Sequence, residues 1–164
     1  SIEEVLIEPG GMPATCSMLM RTEYINQYPV YDLPCPVGDR SRRMFLIDKG
    51  PALYIDDLMC VYRVNNSNSF GGQLYNYNKS IKLVEEMNTF FDLYNNYTNF
   101  KYASYIKLLK EREIISHYVR FKKYDQIVKT EFYKKYYTFI DKIKLFVKWR
   151  LSPLYVIYKK KNNI

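Results

Sequence analysis

Three groups of side chains in the first half of this chain have the chemistry of a group-transfer site. Asp39 follows Pro36, Val37 and Gly38 and opens an amphipathic run that ends at Gly50. A carboxylate in the first turn of a helix has two roles open to it. It caps the exposed amides, or it takes a proton from a hydroxyl as a general base. Arg63 closes the run 58–63, and its planar fork fits a phosphate or a carboxylate. Its structural alternative is an ion pair with Asp56 or Asp57. Thr15 and Ser17 alternate along a partly apolar segment, which sets two hydroxyls on one face of a strand. A base, a guanidinium and hydroxyls at one sheet edge suit a site that handles a hydroxyl and a phosphate.

The spacing of apolar residues says which elements would carry these groups. Strands are expected at 5–7, 14–20, 52–55 and 59–64, with Asp56-Asp57 in the turn between the last two. Thr22 reads as the N-cap of a short helix over 23–27. A second helix runs from 39 to about 49, with Met44, Phe45 and Ile47 inward, Arg40, Arg42 and Arg43 on a solvated face, and Gly50 as the stop. Residues 65–72 form a polar loop. The fold class expected is therefore α+β: a small β-sheet with flanking helices, then a mainly α-helical C-terminal region.

Charge divides the chain at nearly the same place. Residues 1–77 carry 6 Lys and Arg against 9 Asp and Glu, a net of −3, and residues 78–164 carry 19 against 8, a net of +11. Every glycine and all prolines except Pro153 fall in the first part. The second part has almost no helix breakers. Domains are accordingly expected at 1–76 and 77–164. Ile81, Val84, Met87 (or Asn88), Phe91 and Tyr94 form one helical stripe, which breaks at 95–99. Tyr102, Tyr105, Ile106 and Leu109 start another that extends through Ile115 and Val119. Val128, Phe132, Tyr136, Phe139, Ile143 and Phe146 form a third, read as one helix over 127–150. Its lysines suit either a solvated bundle face or an anionic membrane surface.

Other chemistries find little to work with. Cys16, Cys35 and Cys60 lack zinc-site spacing, and His117 is the sole histidine. An odd cysteine count fits a reducing, cytoplasmic setting. The acidic opening Ser1-Ile2-Glu3-Glu4 is not that of a secretory leader, and a start without Met suggests a fragment. No uncharged apolar run approaches the ~20 residues of a membrane span, so membrane contact would be peripheral, on the inner face. No glycine-rich phosphate loop or nucleophile elbow is present. A pI of 9.2 with interleaved Lys and Tyr leaves a basic nucleic-acid-binding module as the alternative class.

The stretch 36–65 also resembles the acceptor-side part of family 2 glycosyltransferases, the inverting sugar transferases. In that pattern an Asp heads a helix, a Gly ends it and a Tyr-Arg strand follows, here Asp39, Gly50 and Tyr62-Arg63. The resemblance covers roughly residues 12–75. It implies the second half of a GT-A fold, with Asp39 as catalytic base and with Thr15, Ser17 and Arg63 lining the substrate site. The family's Tyr-Arg-x-His reads Tyr62-Arg63-Val64-Asn65 here, without the histidine. The resemblance also implies a longer bacterial enzyme of surface polysaccharide synthesis. That enzyme would use a nucleotide-sugar donor, a saccharide or lipid-linked acceptor, and a divalent metal (Mn or Mg). The donor and metal would be held by a preceding half, and Asp56-Asp57 is not the family's metal-binding pair. This chain alone is expected to be inactive and to bind no metal.

Overall fold

The computed structural model describes residues 18–29, 33–47, 49–53, 55, 57 and 69–150. Of these, 69% are helical, and no β-strand occurs among them. The expected α+β class, with its small sheet as the second half of a GT-A fold, is therefore corrected to an all-helical one over the described residues. Residues 18–20 and 52–53 lie where strands were expected and are irregular. A strand exists only through its ladder to a neighbour, and neither segment has one among the described residues. Leu19 and Leu53 are almost fully exposed, so their alternating pattern does not mark a buried face. The expected strands at 5–7 and 59–64 lie outside the described residues.

Two compact units, Ser1–Lys110 and Glu111–Ile164, divide the chain. In the first, α1 (Thr22–Asn26) starts one residue earlier than the composition implies. Its N-cap is Arg21, without a side-chain cap. Helix α2 spans Gly38–Ile47; beyond it Gly50 takes φ +150°, a conformation open to glycine and strained for other residues. The short α3 (Phe70–Gln73) is capped by the Ser69 hydroxyl, which accepts from the Gly72 amide. Asn76 does the same for α4 (Tyr77–Tyr97) by accepting from the Lys79 amide.

Helix α4 is the spine of this unit. Val84, Met87, Phe91 and Tyr94 are buried as their spacing predicts, and Phe90 widens the stripe by one position. Its ring lies 5.7 Å from that of Phe91 and 6.1 Å from that of Tyr94. The Tyr94 ring stacks on Tyr102 at 6.2 Å. Its hydroxyl donates to the Met44 carbonyl at 2.7 Å, reaching one of the last four carbonyls of α2, which lack ordinary helical partners. The Cys35 thiol meets the Met87 sulfur at 3.8 Å. These contacts lock α2 onto α4. After α4 the chain turns through Asn99 and Phe100, both at positive φ; asparagine tolerates that region better than most residues.

Helix α5 (Ala103–Arg120) runs across the boundary between the units. Tyr102 ahead of it and Ile106, Leu109 and Ile115 along it are buried, whereas Val119 is exposed. Residues 127–150 are not the single helix their periodicity suggests. They contain the end of α6 (Tyr124–Ile127), α7 (Glu131–Tyr136) and α8 (Phe139–Arg150). Two capping threonines restart the helix. Thr130 accepts from the Tyr133 amide at 3.1 Å. Thr138 accepts from the Asp141 amide while Asp141 accepts from Thr138, closing a capping box. The Glu111 carboxylate takes up the Phe132 amide at the start of α7. Lys142 reaches back from α8 to the Lys134 carbonyl and the Tyr133 ring.

Candidate functional site

Asp39 occupies the first turn of α2, where the sequence puts it. Its Oδ2 pairs with Arg43 Nη2 at 3.4 Å, one helical turn on. The two differ in exposure: the Asp39 side chain is 24% exposed and that of Arg43 14%. Both groups are thus mostly covered, and the carboxylate keeps the larger share of solvent contact. Burial pulls the Arg43 pKa below its ordinary value, with Asp39 opposing that shift and Arg40 adding to it. The three arginines of α2 are consequently not one solvated face. Arg42 is exposed and Arg40 half-buried, while Arg43 turns inward.

What holds the start of α2 is a small polar cluster that periodicity does not reveal. The Ser41 hydroxyl, buried, donates to the Gly38 carbonyl at 3.0 Å. Tyr28 donates to the Leu33 carbonyl at 2.9 Å, and its ring meets Phe45 edge-on at 5.5 Å. The Cys35 thiol donates to the Val37 carbonyl at 3.3 Å. Burial raises the Tyr28 hydroxyl and the Cys35 thiol above their ordinary pKa values, and hydrogen bonding with Ser41 opposes both shifts. A thiol pushed up in this way stays protonated and is a poor nucleophile. Its role here is to brace the 33–38 turn that delivers Asp39.

Thr15, Ser17 and Arg63 lie outside the described residues, as does Asp56, so Asp39 is the one expected site residue whose surroundings are on view. Asp57 is exposed. Among the described residues no group of three or more His, Cys, Asp or Glu side chains is placed to hold a metal ion. The rings of Phe90, Phe91 and Tyr94 on α4, along with Tyr102, are buried in packing, which removes these four from a base-stacking surface of the kind a nucleic-acid module requires. Tyr75, Tyr97 and Phe100 remain exposed.

His117 is buried in the core. Its ring lies 4.9 Å from Phe121 and 6.0 Å from Tyr118. Burial lowers its pKa, and Lys123 and Arg120 push in the same direction. A histidine with a depressed folded pKa binds fewer protons folded than unfolded, so its contribution is intact above about 6.5 and is lost as pH falls. Stability should decline between pH 7.5 and 5.5, with a slope of at most about 1.4 kcal/mol per pH unit from this group. Thermal melts of the wild type and of His117→Phe check this. The variant should lose that part of the slope whatever its absolute midpoint, and equal slopes would contradict the assignment.

Comparison with protein-family models, with curated proteins and with solved structures finds no match to this chain.

Proposed function

We propose that this chain is the acceptor-activating part of an inverting glycosyltransferase of the family 2 type, with Asp39 as its general base. One observation carries the reading. Asp39 sits in the first turn of α2, partly exposed and paired with Arg43. It does so within the Asp–helix–Gly–Tyr-Arg order in which the family places its base. A positioned carboxylate needs such a hold, because a general base works only within hydrogen-bond reach of the proton it takes.

The step balances simply. As the acceptor oxygen attacks the anomeric carbon, its proton passes to an Asp39 carboxylate oxygen. The bond from that carbon to the nucleotide phosphate breaks, and its electron pair leaves with the nucleoside diphosphate. Attack opposite the leaving group inverts the anomeric centre. In this reading Thr15 and Ser17 contact the acceptor, and Arg63 orients the carboxylate or a phosphate. A divalent metal would neutralise the leaving diphosphate on the donor side.

The direct test is transfer by the full-length protein. Given nucleoside diphosphate sugars, manganese or magnesium and saccharide or lipid-linked acceptors, it should release nucleoside diphosphate in step with glycosylated product. Failure of a folded full-length protein across the common donors would overturn the reading.

A further inference from the structure

Helix α8 has two apolar sides, and only one of them is used within its own unit. Leu145 is buried. On a helix advancing about 100° per residue, Phe139, Ile143 and Phe146 share an arc on the side away from Leu145, with Ile140 at its edge. These four are 78%, 48%, 56% and 62% exposed, respectively. Lys144, Lys148 and Arg150 are also exposed, and Asp141 is the one acidic residue of the helix. Asp141 is occupied in the capping box with Thr138. Lys142 is tied back to α7, which fixes the roll of α8 and leaves the apolar arc outward.

We propose that this face of α8 lies in the interface of an anionic lipid bilayer, independently of the role of Asp39. Phe139, Ile143 and Phe146 enter the boundary between headgroups and acyl chains, Arg150 at the end of the same arc reaches the headgroups, and Lys144 and Lys148 on the flank and far side add long-range attraction to the anionic surface. Charge selects this occupant. A second copy would bring another net +8 and the same basic rim against the first. A nucleic acid offers phosphates but no apolar layer for four bulky side chains. An anionic lipid surface offers both. Among the described residues no helix is long and apolar enough to cross a membrane, so α8 would lie along the surface.

The test is co-sedimentation of the intact chain with vesicles of phosphatidylcholine alone or mixed with phosphatidylserine, at low and high salt. The mixed vesicles should retain the chain at low salt and release most of it at high salt. Lys144→Glu with Lys148→Glu should weaken retention by at least about 25-fold, at roughly fivefold per lost lysine. Phe139→Ser with Phe146→Ser should weaken it at both salt concentrations. All four positions are exposed, so circular dichroism should match the wild type. The proposal is overturned if the mixed vesicles do not retain the chain, or if both double variants bind as the wild type does. It is equally overturned if sedimentation shows a dimer that the Phe139→Ser, Phe146→Ser chain fails to form, without vesicle binding.

Discussion

Asp39→Asn in the full-length protein is expected to slow sugar transfer by about 10²–10⁴-fold, the usual cost of losing a positioned general base. The substitution keeps size and hydrogen-bonding reach and removes only the basic carboxylate. Its structural cost should be small. The pair with Arg43 is partly exposed and spans one helical turn, and such pairs contribute about 1 kcal/mol or less. Activity and stability should therefore separate: a deep loss of rate with a melting curve close to wild type. A capping role alone would leave turnover near normal as well as stability, since asparagine caps about as well as aspartate. Steady-state rates and thermal melts on the same preparations distinguish the two.

Phe91→Ala should be the most damaging single change to the fold. Phe91 is fully buried on α4 beside Phe90, and α4 also anchors α2 through Tyr94 and the turn before it through Met87. Deleting a buried ring removes its transfer free energy and leaves a cavity that neighbours fill only in part, at about 3–5 kcal/mol. A typical domain has only about 5–15 kcal/mol to lose. Phe100→Ala makes the matched control, since Phe100 is exposed after α4 and should change stability by less than about 0.5 kcal/mol. Urea denaturation of the two variants reads the contrast. A loss below about 1 kcal/mol for Phe91→Ala would mean that α4 does not organise the core.

Helices were legible in this sequence where local spacing and burial agree. The steps from Val84 through Met87 and Phe91 to Tyr94 mark the inner face of α4, and the missing Phe90 shows only that the stripe is wider than one residue per turn. In 127–150 an unbroken apolar period concealed two interruptions. Thr130 and Thr138 cap new helices there, and Thr138 with Asp141 carries a capping-box spacing that the periodicity overrode. The consequence is a division of the stripe: Phe132 is buried on α7, while Phe139, Ile143 and Phe146 are exposed on the separate α8.

Strands were the least legible elements. The short apolar run at 52–55 satisfies a local rule, but pairing depends on a partner that no local pattern specifies. The site divides in the same way. Asp39 at a helix start and Arg43 four residues on are both local facts, readable from spacing. The bracing of that helix start combines local side-chain bonds from Tyr28 and Ser41, which apolar periodicity does not register, with the long-range contact of Cys35 and Met87, which no local spacing announces.

The central claim is a carboxylate base acting opposite the leaving nucleotide, and the stereochemistry of the product tests it most directly. The full-length protein should be given a nucleoside diphosphate sugar of known anomeric configuration. The linkage formed can then be read from the anomeric proton and carbon signals by NMR at early conversion. The account predicts inversion, in a reaction that Asp39→Asn suppresses. A retained configuration, or an inverted product formed at an undiminished rate by Asp39→Asn, would contradict it.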